Sequence, residues 1–241
     1  MKKRMANIEL LRIVSMMMVV MLHYLGKGGL LPETTGAMTV NGYVAWGMES
    51  LCIVAVNVYM LISGYFLVES GFKGRRILEL LCQVLFYTIL VPLVLILVGV
   101  LPASIFNIYH ILQTVLPVQM EHYWFITAYV IMYLLSPILS VAAKSMSKEQ
   151  LRGTIIALLL FFAVSKSILP FELAIDKQGY DGLWFVCVFL VAAYMRLYGI
   201  PFFTNGGKGR RGILCYLAGC AGIYGLMLLV RLVYLKTGSL D

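Results

Sequence analysis

Apolar runs of about 20 residues recur along this chain, separated by short segments rich in Lys and Arg. A helix rising 1.5 Å per residue needs roughly 20 apolar residues to cross a hydrocarbon core of about 30 Å. Seven stretches reach that length: 8–25, 46–68, 77–101, 123–143, 151–169, 183–200 and 213–235. They are apolar on nearly every face, whereas a membrane barrel would show short strands of alternating polarity. The expectation is an all-α integral membrane fold of about seven transmembrane helices, forming a single domain over 1–241. Composition removes the other classes. Asp, Glu, Lys and Arg make up 12% of the 241 residues, about half the share of roughly 25% in a soluble domain. Thirty charged side chains cannot clothe a soluble globule of this size, and 61% hydrophobic residues with a mean hydropathy of +0.92 exclude a disordered chain.

The net charge of +8 invites a nucleic-acid partner until the cations are placed. Lys2, Lys3 and Arg4 precede the first span. Lys73, Arg75 and Arg76 lie between the second and third, Lys144, Lys148 and Arg152 between the fourth and fifth, and Lys208, Arg210 and Arg211 between the sixth and seventh. The alternate segments hold only Lys27, Lys166, Lys177 and Lys236. Twelve cations against four place the amino terminus in the cytoplasm and, with seven spans, the carboxyl terminus outside. The charge is thus a topology signal, and no nucleic-acid partner is expected. The first run carries Glu9 and Arg12 and lacks a small-residue cleavage site, so it reads as a permanent span of a multi-pass cell-membrane protein. Cys52, Cys82, Cys187, Cys215 and Cys220 all fall within spans without metal-ligand spacing, which suits packing or lipid contact and predicts no metal site. The partly apolar segment 102–122 is too short to cross twice and reads as interfacial or re-entrant.

An ionisable residue inside a span costs several kcal/mol unless paired or hydrated, so each is a candidate for function. Arg12 and His23 lead. They are 11 residues apart. At 100° per residue this is three turns plus about 20°, so both point the same way, about 16 Å apart along the axis. Arginine offers a permanently charged fork to phosphate or carboxylate, and histidine takes a proton from a hydroxyl near neutral pH. The plain alternative pairs Arg12 with Glu9 and leaves His23 at a helix interface. Glu9 and Glu79 lie near helix ends and read as paired or snorkelling. Glu49 and Asn57, eight apart, share a face of the second helix that would line a polar cavity. Lys166, Arg196 and Arg231 read as snorkelling side chains. The stretch 205–209, Asn-Gly-Gly-Lys-Gly, lacks the phosphate-loop pattern and the preceding strand.

The order of motifs then meets a family. The segment NIELLRIVSMMMVVMLHY, with Arg12 and His23 in an R-x10-H arrangement, resembles the first helix of the membrane acyltransferase family 3. VYMLISGYFL (58–67) resembles its F-x-x-S-G-F element, with Met60 and Tyr65 where phenylalanine is usual, and the basic Lys73-Gly-Arg75-Arg76 follows. HYWFITAYVIMYLLSPIL (122–139) and GLWFVCVFLVAAYMRLYG (182–199) resemble two later segments of the family. The resemblance runs in order from about Asn7 to Gly199. Its members have about ten spans, so the chain resembles the first part of a ten-helix bundle whose carboxyl-terminal helices are missing.

The resemblance implies transfer of an acyl group, acetyl most commonly, from cytoplasmic acyl-coenzyme A to a hydroxyl of an envelope polysaccharide or glycolipid at a bacterial plasma membrane. No bound cofactor is expected, acyl-coenzyme A being a co-substrate. The partners implied are membrane lipids, acyl-coenzyme A and an extracytoplasmic glycan acceptor. His23 would serve as base or acyl carrier, and Arg12 would orient the donor or stabilise developing charge. Arg75 and Arg76 would hold donor phosphates. Ser63, Gly64, Tyr65, Asn57, Trp124 and Tyr133 would line the substrate path. Two readings compete: a transporter or flippase for a polysaccharide precursor, which also uses intramembrane polar residues, and a truncated, non-catalytic remnant.

Overall fold

The computed structural model describes residues 5–102, 104, 107–120, 123–164, 179, 181–200 and 209–238. Lys2, Lys3, Arg4, His122, Lys166, Lys177, Lys208, the far end of the fifth predicted span and most of the 205–209 stretch lie outside them. Every described regular element is helical. The elements are α1 (Ala6–Lys27), α2 (Val40–Cys52), α3 (Ala55–Ser70), α4 (Gly74–Leu97), α5 (Ile108–Val115), α6 (Trp124–Ser145), α7 (Lys148–Leu159, continued by a wider π turn to Val164), α8 (Gly182–Tyr198) and α9 (Arg210–Thr237).

The apolar runs emerge as helices. Among the described residues five are long and apolar enough to cross a membrane: α1, the α2–α3 pair, α4, α6 and α9. The sixth, α8, is apolar but 17 residues long, about 25 Å at 1.5 Å per residue. The remaining stretch begins in α7 and ends outside the described residues. This is an all-α integral membrane fold. The expected interfacial segment contains α5, eight residues capped by the Asn107 side chain, with Ile108, Tyr109, Ile111, Leu112 and Val115 all exposed.

The chain forms two compact units: one from the stretches up to Ile62 and from Gly199 onward, the other from Ser63 to Tyr198. In the second unit, α8 packs between α6 and α7. The largest fully buried side chains there are Tyr133, Phe185, Phe189, Met132, Leu151, Val68 and Ser136. Lipid solvates apolar helices well, so close packing must hold them together, and small residues permit it. Gly64 illustrates the point: a Cβ there would stand 2.8 Å from the Ala192 Cβ, so glycine lets α3 lie directly on α8. Pro137 lies inside α6. It has no N–H for the Tyr133 carbonyl, and the Ser136 hydroxyl donates to that carbonyl instead, at 2.6 Å.

In the first unit, α1 and α9 both pack on α2. The contacting face of α9 carries Tyr216, Cys220, Tyr224, Met227 and Arg231, a three-and-four spacing that lines up one stripe. Cys220, Met227 and Arg231 are its buried residues. The two tyrosines donate to the backbone of α2, Tyr216 to the Leu51 carbonyl at 2.6 Å and Tyr224 to the Tyr43 carbonyl at 3.3 Å. Leu51 stands just before residues 53–54, where the helix is interrupted. A side chain that captures a carbonyl of the ladder is a recognised cause of such breaks. The interruption also removes the unbroken phase that would have set Glu49 and Asn57 on one face.

Candidate functional site

Helix α1 runs without interruption from Ala6 to Lys27, so the phase relation between Arg12 and His23 is realised. Arg12 is half-buried and pairs with Glu9 at 3.3 Å across one turn. The plain pairing is therefore present. It leaves Arg12 on the His23 face of α1, because a partner three residues back lies on the same side of a helix. His23 is exposed, and its Nδ1 lies 2.8 Å from the Val19 carbonyl. A carbonyl only accepts, so Nδ1 carries the proton. In the neutral ring the lone pair then sits on Nε2, which points the basic nitrogen away from its own backbone.

The basic loop before α4 is built differently. Tyr133 has 1% of its surface exposed. Its hydroxyl accepts from the Lys73 amide at 2.9 Å and donates to the Lys73 carbonyl at 3.1 Å. The Phe72 ring rests on Tyr133 with centroids 5.2 Å apart. Tyr133 thus fastens the loop by its backbone, the role of an anchor and not of a surface-lining residue. The side chains beyond the anchor stay outside: Arg75 and Arg76 are exposed. Arg75 donates to Glu79 at 2.8 Å, and Arg76 makes one long bond to Ser70 at 3.4 Å. Cations at a helix amino terminus oppose the helix dipole, which favours anions there. This arrangement therefore does little for the helix and gathers positive potential at one exposed spot.

The remaining candidates fall into place by packing. Ser63 and Tyr65 are half-buried on α3, flanking the buried Gly64, and Asn57 is half-buried earlier on the same helix. The Tyr65 hydroxyl accepts from Arg196 at 3.1 Å, and the Arg196 guanidinium lies 4.8 Å from the Tyr65 ring centroid. Arg196 also donates to the Glu69 carboxylate. Arg196 is thus an interhelical tie, which its reading as a snorkelling side chain did not include: its partly exposed guanidinium pairs with a carboxylate and a phenol. Trp124 is half-buried at the head of α6 against Phe125 and Phe185. This places it at the end of an aromatic row that continues through Tyr129 to Tyr133.

Arg231 corrects the snorkelling reading outright. It is buried, at 9% exposure. Its Nε donates to the Tyr43 hydroxyl at 3.1 Å, and its Nη1 donates to the carbonyls of Thr34 at 3.1 Å and Gly36 at 2.8 Å. No pattern in the sequence marks those partners, since two are backbone oxygens of a loop almost 200 positions away. Only the three-and-four stripe on α9 hinted that this face is covered.

Among the described residues no cluster of three or more His, Cys, Asp or Glu is placed to hold a metal ion. What the two regions hold is an exposed basic nitrogen and a cation in phase on one helix, and a separate exposed cationic loop fixed by its backbone. No curated protein and no solved structure matches the chain significantly. One family does, the acyltransferase domain of family 3, over residues 5–238. The match takes in nearly the whole length, from the first helix with its Arg12–His23 pair to the end of α9, and the chain belongs to the acyltransferase family 3.

Proposed function

We propose that this membrane acyltransferase moves an acyl group, acetyl in the simplest case, from cytoplasmic acyl-coenzyme A to a hydroxyl of an envelope polysaccharide or glycolipid in a bacterial plasma membrane. The observation that carries the reading is the phase of Arg12 and His23 on one unbroken helix, with the His23 proton committed to the Val19 carbonyl. In this reading Nε2 of His23 takes the proton of the acceptor hydroxyl as its oxygen attacks the thioester carbonyl. The new C–O bond forms, the C–S bond breaks, and the departing thiolate receives the proton from the imidazolium. Alternatively Nε2 itself carries the acyl group between donor and acceptor. Arg12, about 16 Å away along the axis, meets charge on the donor side.

The exposed Arg75 and Arg76 support a donor rich in phosphate, because guanidinium groups bind phosphate oxygens two at a time. The anchoring of their loop by Tyr133 keeps those charges in place while leaving the side chains free to reach. The charge bias sets this loop on the cytoplasmic side, where the donor is made, and the His23 end of α1 on the outer side. The test is acyl transfer in membranes carrying His23→Ala or Arg12→Ala at matched expression. A general base contributes about 10²- to 10⁴-fold, so a loss of that size is expected for His23→Ala. Near wild-type turnover in both variants would sink the assignment.

A further inference from the structure

The segment that follows His23 does not leave α1 as a free loop. The Leu25 carbonyl, two residues beyond His23, accepts from the amides of Leu30 at 3.0 Å and Leu31 at 3.2 Å. The next carbonyl, that of Pro32, accepts from the Trp46 indole at 3.0 Å. Thr34 and Gly36 then give their carbonyls to Arg231. Residues 30, 31, 32, 34 and 36 are therefore each fastened, from the last turn of α1, past α2, to α9. All of these contacts lie within one compact unit.

Two details show that the strap is seated, not merely tethered. Gly42, in the first turn of α2, faces it directly: a Cβ there would stand 2.8 Å from the Pro32 Cγ and 3.0 Å from the Met38 Cγ. Arg231 is buried with only neutral oxygens as partners, and among the described residues no carboxylate pairs with it. Removing a guanidinium from water is costly, so an arginine kept here for three neutral acceptors has its use in the geometry it imposes. Its planar fork reaches two carbonyls and a phenol at once, and a lysine ammonium on its flexible stem does not reproduce that fork.

We infer that the strap, residues 30–38, is a wall of the acceptor-binding site beside His23, and that Arg231 is its positioning residue. This inference rests on the acyl-transfer reading above. An acceptor hydroxyl must be held within hydrogen-bonding reach of Nε2. The strap is fastened to the Leu25 carbonyl, two residues beyond His23, at the end of α1 that the charge bias turns outward. A glycan has many hydroxyls, and a rigid wall at that point selects the one that is presented. The donor enters from the other end of α1 and does not meet it.

Three variants and two readouts test this in the full chain in membranes or detergent. Arg231→Met keeps length and removes all three hydrogen bonds. Arg231→Lys keeps the charge. Gly42→Ala suits a helix better than glycine, so α2 is preserved and only the strap has to move. Arg231→Met and Gly42→Ala should each raise the acceptor KM roughly ten-fold, the scale on which a small misplacement acts. They should leave the donor KM within about two-fold and speed hydrogen exchange at the Leu30 and Leu31 amides. Arg231→Lys should fall between wild type and Arg231→Met. An unchanged acceptor KM in an active Gly42→Ala enzyme overturns the inference, as does an equal rise in both Michaelis constants or a fall in kcat alone. A wild-type chain that transfers no acyl group to any glycan acceptor removes the acyl-transfer reading itself, and this inference with it.

Discussion

The two compact units are held together by different chemistry. The unit from Ser63 to Tyr198 is packed: Phe185 and Phe189 are fully buried on α8, Tyr133 and Met132 on α6, and glycine lets helix backbones touch at Gly64. The unit made by α1, α2 and α9 has few buried side chains, and its helices are joined by side chains that donate to backbone carbonyls, as Tyr216, Tyr224, Trp46 and Arg231 do. Packing energy is spread over many atoms and resists single losses in proportion to volume. A hydrogen-bonded frame concentrates its specificity in a few groups, each worth little alone but directional. The candidate base and the strap beside it lie in the hydrogen-bonded unit. The basic loop proposed for the donor lies in the packed one.

The contrast can be broken most sharply at Phe185. Phe185→Ala should cost about 3 kcal/mol of stability, read as a lowered unfolding midpoint in detergent. A near-neutral result would mean that α6 and α8 are not held by packing. Next comes Tyr133→Phe, which removes a hydroxyl satisfying both polar groups of Lys73. The Lys73 carbonyl keeps the Arg76 amide at 3.0 Å, so only the Lys73 N–H is left without its partner, at a cost of about 1 kcal/mol. It should also raise the donor KM, and the double substitution Arg75→Ala, Arg76→Ala should do so more directly. A donor KM unmoved in all of these would leave the cations as topology signals only. The smallest effect is expected from Tyr216→Phe, about 0.6 kcal/mol for an interhelical hydrogen bond in a membrane protein. A loss of several kcal/mol there would mean that the sparse unit depends on each bond far more than its individual strength implies.

The spans were legible because their composition leaves lipid as the only tolerable surroundings, and Arg12 and His23 because an unbroken helix turns spacing into direction. The break at 53–54 was not legible. It is tied to a hydroxyl arriving from Tyr216, and the local residues of α2 and α3 are ordinary helix formers. Tyr133 was expected to line the substrate path, and its anchoring role was not legible because its partner is a main-chain group 60 positions away that leaves no trace in side-chain identity. Arg196 and Arg231 misled for a shared reason. A cation near a helix end has the same sequence signature whether it reaches for water or for a neighbour, and only tertiary placement separates the two. The family resemblance identified the class of chemistry but said nothing about the strap, whose fastenings are mostly backbone oxygens.

The double hydrogen bond at Tyr133 also bears on which substitutions the chain can absorb. A phenol is the one side chain of that length that donates and accepts through the same oxygen. Phenylalanine fills the space and loses both bonds. Histidine splits donor and acceptor between two atoms, and tryptophan can only donate. Position 133 should therefore tolerate no replacement without loosening the basic loop. Arg75 and Arg76, in the first turn of α4 just past that loop, should accept any exchange that keeps a positive charge. Saturation mutagenesis would then show a narrow residue beside two broad ones, with the restriction falling on the buried anchor and not on the exposed groups that would meet the ligand.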